Sequence, residues 1–147
     1  MRPLSEGDRE PWQRLYYSYL EFYESEPFEP ATEILWSRLI AAEPVIQSAV
    51  IEVDGQIAGF VHFHYQLSTW THSFHCYLED LYVDENYRDM GLATALIAEV
   101  KRAAAEMKCS ELYWITREGN EIARRIYDKL AKKSDFVRYE ILLEQDE

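Results

Sequence analysis

Cysteine is nearly absent from this chain. The two present, Cys76 and Cys109, are too few for a disulfide framework and form no Cys-x-x-Cys pair, so a reducing, cytoplasmic setting is expected, with both thiols as packing groups. Cationic side chains are also short: 15 Lys and Arg stand against 27 Asp and Glu, a formal net charge of −12. Nucleic acid binding needs clustered Lys and Arg, so no such partner is expected, whereas cationic ligands are attracted at long range. The same acidity also serves solubility. No apolar run approaches the roughly 20 residues that cross a bilayer, and Met1-Arg-Pro-Leu-Ser-Glu6 lacks the basic and then apolar blocks of a secretion leader. A soluble protein without a membrane partner is expected. Repeats, linkers and low-complexity stretches are missing too, so the 147 residues, nearly half of them hydrophobic, are expected to form a single domain over residues 1–147.

What is present follows two periods. Met1 to Leu4 reads as a short edge strand, and Ser5-Glu-Gly-Asp-Arg-Glu-Pro-Trp12 supplies the cap and first turn of a helix carrying Leu15, Tyr19, Phe22 and Tyr23. Pro27 and Pro30 interrupt it, and a second helix with Leu35, Leu39 and Ile40 runs toward Pro44. From Val45 the period shortens. Val50 to Val53, the turn pair Asp54-Gly55 and Ile57 to Tyr65 read as a hairpin, with Ile57, Val61, Phe63 and Tyr65 on one face. His75 to Val83 reads as a central strand, and Ala93, Leu96, Ile97, Val100, Ala104 and Met107 as the apolar stripe of a helix. Glu111 to Thr116 is a further strand that must run parallel to the central one. A last helix buries Ile122, Ala123, Ile126, Tyr127 and Leu130, Phe136 to Leu143 makes a final strand, and Glu144 to Glu147 is a frayed tail.

Leu78-Glu-Asp-Leu-Tyr-Val83 leads through Tyr87-Arg-Asp-Met-Gly-Leu-Ala93 into the apolar helix. A strand ending in a glycine-containing turn at a helix N-terminus is a cradle for a phosphate-bearing ligand. Gly91 and Ala93 let the backbone approach a diphosphate closely, and Arg88 adds a full charge, which Asp89 opposes unless it points away. Glu79 and Asp80 are adjacent carboxylates on a buried strand. They are expected to face opposite sides of the sheet, each needing a partner.

Arg88-Asp-Met-Gly91-Leu-Ala93 matches R/Q-x-x-G-x-G/A. Together with Glu79-Asp-Leu-Tyr-Val83 before it, Asn120 at the next helix start and Ala123-Arg-Arg-Ile-Tyr127-Asp-Lys-Leu130, it resembles the GCN5-related N-acetyltransferases (GNAT) over roughly residues 50–143. Asp89 departs from that pattern, which commonly has a neutral or basic residue there. The resemblance implies an α/β fold of GNAT type, a mixed central β-sheet flanked by α-helices. It further implies acetyl-CoA as cosubstrate and direct acetyl transfer to a primary amine, a small cationic amine or polyamine.

By the same resemblance, Leu81, Tyr82, Val83, Arg88, Asp89, Met90, Gly91, Leu92, Ala93, Thr94, Asn120, Ala123 and Tyr127 contact the cofactor. Its pantetheine arm lies against the central strand where the neighbouring strand splays away. Tyr127 matches the tyrosine that protonates the departing thiolate, although periodicity alone reads it as core. Asn120 is equally readable as a helix N-cap. Glu79 is the expected base for the acceptor ammonium, as in similar polyamine-type enzymes, with Asp80 structural; the reverse assignment stays open. The resemblance also implies a homodimer, with the last strand pairing or swapping across a two-fold axis.

Tyr16, Tyr19, Tyr23, Phe28 and Trp36, among Glu21, Glu24, Glu26, Glu29 and Glu33, suit an ammonium ligand. Tyr23, Glu24 and Phe28, with Glu79 and Asp80, are the expected acceptor-binding residues; a solvated acidic face is the plainer account of the glutamates. His62 and His64 alternate onto one strand face near His72 and His75, but no Cys or carboxylate completes a ligand spacing, so no metal is expected. Cys109, just after the core helix, lies far from the expected cofactor position and is not expected to act as a nucleophile. Two other functions fit the same residues: acetylation of a protein N-terminus or lysine, and a CoA-binding regulatory module without turnover.

Overall fold

A computed structural model describes residues 1–145; Asp146 and Glu147, part of the expected tail, lie outside these. The chain forms two compact units, Met1–Ile115 and a second from Thr116 onward.

In the first unit Ser5 N and Oγ both donate to Asp8 Oδ2, at 2.8 and 3.0 Å, closing a 3-10 turn (Glu6–Asp8) that feeds helix α1 (Arg9–Phe22). Arg2 grips the same carboxylate with two nitrogens at 2.6 and 2.9 Å. That guanidinium, followed by the Ser5 donors, holds the Asp8 carboxyl down at about 2. Pro30 sits in the first turn of α2 (Glu29–Leu39). Strands β1 (Gln47–Val53) and β2 (Gln56–Leu67) meet through Asp54 and Gly55, with φ of 51° and 77°, the left-handed pair that a tight two-residue hairpin requires. β3 (Phe74–Val83), α3 (Leu92–Glu106) and β4 (Glu111–Tyr113) complete this unit.

The sheet order is β1-β2-β3-β4, antiparallel except for the β3–β4 pair, which is parallel across α3 as expected. The N-terminal strand reduces to one bridge between Arg2 and Val50. One face of the sheet receives α1 and α2: Trp12, Leu15, Trp36 and Leu39 pack with Leu4, Val50, Ile57 and Phe60. The other face receives α3, whose Leu96, Ile97, Val100 and Ala104 are buried. Met107, expected on that stripe, caps the helix and is exposed.

Two irregularities in register decide which side chains face which layer. Ile51 pairs with Gly59 and Glu52 with Ile57, so Ala58 is an extra residue on β2. A bulge of this kind reverses the alternation. Ile57 therefore joins Phe60 and Val50 beneath α1 and α2, not Val61 and Phe63 as alternation alone had placed it. The second irregularity leaves Glu79 over between the pairs His62↔Asp80 and Phe63↔Leu78.

β4 ends at Tyr113 and not at Thr116, because β3 has no β4 partner beyond Tyr77↔Tyr113. In the second unit, α4 (Glu121–Leu130) buries no residue fully. Ala123, Ile126 and Tyr127 are half-buried, whereas Ile122, at the edge of the stripe in the first turn, and Leu130 are exposed. Residues 136–143 form no strand. Alternating Val137, Tyr139, Ile141 and Leu143 gives strand character, but a strand needs a hydrogen-bonded neighbour, and the apolar side chains here are 75–92% exposed.

Candidate active site

The bulge at Glu79 reshapes the site from the sequence expectation. Glu79 and Asp80 face the same side of the sheet, because Glu79 Oε1 lies 3.1 Å from His64 Nε2 and Asp80 Oδ2 lies 2.9 Å from His62 Nδ1. His62 and His64 are two apart on one strand and so share a face. The expectation of one carboxylate per face is therefore corrected, and the extra residue in β3 is the reason.

The two carboxylates differ in surroundings. Asp80 lies under α1, accepts from the Tyr19 hydroxyl at 2.6 Å on Oδ1 and from His62 on Oδ2, and its side chain is 17% exposed. Behind it, Trp12 Nε1–H donates to His62 Nε2 at 3.0 Å, with Trp12 and His62 both fully buried. Burial, and then the Asp80 charge, push the Tyr19 phenol far above its ordinary value, so Tyr19 keeps its proton and donates. Tyr16, stacked on Trp12, is pushed up to about 12, chiefly by burial. Glu79, by contrast, keeps 48% of its side chain exposed.

Along the same face Tyr77 meets His64 edge-on and stacks flat on Tyr113 at 4.9 Å, and the Tyr113 hydroxyl donates to Gln66 at 2.7 Å. Tyr23 packs at 5.1 Å on Tyr19, the ring whose hydroxyl reaches Asp80. Glu24 and Phe28 lie exposed in the α1–α2 connection. Trp36 is core against Trp12, and Glu33 is engaged by Arg9. Residue order hid the His62 and Trp12 contacts. The only signal was two alternating histidines on the strand that opposes an acidic pair.

Beyond Tyr77, residues Leu78 to Val83 of β3 run on with an edge that β4 does not cover. β3 then passes through a 3-10 turn (Glu85–Tyr87), capped by Asp84, which accepts from Asn86 N at 3.0 Å and from Arg14 at 3.3 Å. Arg88 folds back, its Nε donating to the Val83 carbonyl at 3.3 Å and its guanidinium lying 5.6 Å from the Tyr82 ring centre. Asp89 and Gly91 take φ of 63° and 75°. Gly91 caps α3 without a side-chain bond, no acidic residue occupies the first turn, and the first helical bond is Ala95 N to the Gly91 carbonyl at 3.1 Å. The N–H groups of Leu92, Ala93 and Thr94 thus have no partner within the helix, a donor set that fits a diphosphate. Met90, between the two left-handed residues, is exposed.

In the second unit Asn120 holds the N-cap position of α4, but its side chain caps nothing; Nδ2 donates to Thr116 Oγ1 at 3.1 Å. Ala123 and Tyr127 share the half-buried face of that helix. The Cys76 thiol is raised to about 12 by burial, and Cys109 is raised for the same reason, so both stay protonated at neutral pH. Among the described residues no group of three His, Cys, Asp or Glu side chains is arranged to hold a metal ion, and no helix is long and apolar enough to cross a membrane.

Comparison with known proteins adds two relatives and one solved structure of similar fold. The chain is 31% identical to a D-amino-acid N-acetyltransferase of Saccharomyces cerevisiae, over 95% of the chain and 88% of that protein. It is 33% identical to a thialysine N-epsilon-acetyltransferase of Bos taurus, over 58% of the chain and only 50% of that protein. A solved aminoglycoside N-acetyltransferase in complex with CoA shares the fold, with a TM-score of 0.76 at 21% identity over 95% of the chain and 92% of that structure. The model of the acetyltransferase (GNAT) family matches residues 12–131, and the chain belongs to that family as an N-acetyltransferase of GNAT fold.

Proposed function

We propose that this protein moves the acetyl group of acetyl-CoA directly to the primary amine of a small cationic molecule, without a covalent enzyme intermediate. The observation that carries this reading is the edge of β3 from Leu78 to Val83, which β4 leaves unpaired. It leads straight to uncapped helix donors at one end and begins beside a half-exposed carboxylate at the other. An extended pantetheine arm fits the strand edge, a diphosphate fits the amides of Leu92, Ala93 and Thr94, and Arg88 has the reach to swing from Tyr82 toward it. Acetyl-CoA supplies the activated acyl carbon; the remaining steps belong to the chain.

Glu79 takes the proton from the acceptor ammonium, since attack on a thioester needs the free amine. Asp80 is less suited to that step because both of its oxygens already accept hydrogen bonds. A phenol carries a proton that it can pass to a sulfur within hydrogen-bond reach, and Tyr127 protonates the leaving thiolate, while Asn120 bonds the pantetheine arm. Tyr23, Glu24 and Phe28 form the acceptor side, where aromatic faces and carboxylates attract an ammonium group, in line with the net charge of −12. The two relatives named for amino-acid amines support the acceptor class. We further propose that both units act as one transferase domain, in keeping with a family match that spans them, and that the protein is a cytoplasmic homodimer, which the exposed apolar residues of 136–143 favour.

The test is release of free CoA thiol from acetyl-CoA across a panel of polyamines, D- and L-amino acids, thialysine, aminoglycosides and lysine-containing peptides. Turnover confined to small amines supports the reading. Turnover confined to peptides, or none with any amine, overturns it.

A further inference from the structure

We propose that His62 is a positioning residue which, acting through Asp80, fixes the β3 bulge and so presents Glu79 to the acceptor. This rests on the assignment of Glu79 as the base. The backbone ladder alone fixes that bulge weakly. His62↔Asp80 and Phe63↔Leu78 are paired and Glu79 is left over, so a slip of one residue that keeps Asp80 in place would restore alternation, turning Glu79 toward the α3 layer and Leu78 away from it.

Side chains supply what the ladder lacks. At the point of irregularity His62 Nδ1 reaches Asp80 Oδ2 at 2.9 Å, and the Tyr19 hydroxyl reaches the other oxygen at 2.6 Å, so β2 and α1 together hold one β3 side chain. The direction of the chain of hydrogen bonds is set by chemistry. An indole N–H only donates, so His62 Nε2 accepts from Trp12 at 3.0 Å; the ring proton then sits on Nδ1 and donates to the Asp80 carboxylate. The other tautomer would set two donors against each other, beside Trp12, and leave Asp80 Oδ2 without its donor. Trp12 and His62 are fully buried, where an unmade hydrogen bond is least tolerated. His64 meets Glu79 at 3.1 Å but is partly exposed and has no such backing among the described residues, so it accompanies Glu79 without locking the register.

The two amide residues separate the two legs of this lock. His62→Asn places an N–H donor where Nδ1 stands and keeps the Asp80 leg; His62→Gln places its amide where Nε2 stands and keeps only the Trp12 leg. For His62→Gln we expect kcat to fall on the order of a hundredfold with acetyl-CoA affinity by calorimetry unchanged, as for misplacement of a reacting group. We expect His62→Asn to recover most of that loss. Backbone amide exchange at Glu79 and Asp80 should quicken in His62→Gln and not in His62→Asn, and the imidazole 15N spectrum of the wild type should show the proton on Nδ1. Should His62→Gln fail to fold, Tyr19→Phe withdraws the other donor from Asp80 with the ring retained and is read the same way. Equal losses in the Asn and Gln variants, or an Nε2–H tautomer, overturn the proposal. The exchange and 15N readouts do not depend on turnover, so an enzyme inactive on every amine that still shows them overturns the Glu79 assignment while the bulge lock stands.

Discussion

His62 and Asp80 face each other across the β2–β3 ladder with Nδ1 2.9 Å from Oδ2, immediately beside the residue that β3 carries in excess. That contact accounts for two adjacent carboxylates on one face of a sheet with unequal freedom. Both oxygens of Asp80 are engaged beneath α1, and Glu79 is half-exposed to solvent.

Tyr127→Phe is expected to lower kcat by about 10²–10⁴-fold, the range for loss of a general acid, with acetyl-CoA affinity retained. Steady-state rates paired with calorimetric binding check this. Unchanged turnover across the pH range would remove Tyr127 from the mechanism.

Gly59→Ala is expected to destabilise the fold by about 1–3 kcal/mol through overpacking. A Cβ there would lie 2.9 Å from the Tyr82 carbonyl oxygen and 3.3 Å from Leu96, and the former is backbone in the middle of a sheet. Urea denaturation midpoints at constant slope measure it, and a neutral result would contradict the close β2–β3 approach.

Acid stability should depend on Asp8. Its carboxyl ionises at about 2 in the fold against an ordinary value of 3.8, so the stability it contributes is complete above the ordinary value and is lost as the pH falls toward 2. Asp8→Asn should cost about 1–2 kcal/mol at neutral pH, a charged hydrogen-bond contribution discounted because Arg2 is partly exposed, and should flatten the stability profile between those two values. Chemical denaturation from acid to neutral pH is the measurement; parallel profiles for the two proteins would refute it.

Much of this molecule was legible where a local rule decides. Asp54-Gly55 announced a two-residue turn because both positions need positive φ, and the spacing of Leu96, Ile97, Val100 and Ala104 announced a helix buried on one side. The parallel β3–β4 pair followed from an intervening helix, and Gly91 marked the turn at its start. The bulges at Ala58 and Glu79 were not legible, since an extra residue is defined by what the opposite strand pairs with. The faces of Ile57 and Glu79 were misread for that reason. Residues 136–143 carry strand periodicity without a ladder, which periodicity cannot reveal. The role of His62 is hidden in the sequence because its indole and carboxylate partners are 50 and 18 residues away.

The account turns on the amides at the start of α3 holding the diphosphate of acetyl-CoA. Gly91→Glu tests this directly: nothing lies within 4 Å of a Cβ at that position, so the fold has room for the side chain, although φ of +75° adds a strain of about 1–2 kcal/mol. In calorimetric titrations with acetyl-CoA, the wild type should bind and a folded Gly91→Glu variant should register no heat. A wild type that does not bind, or a variant that binds equally well, would contradict it.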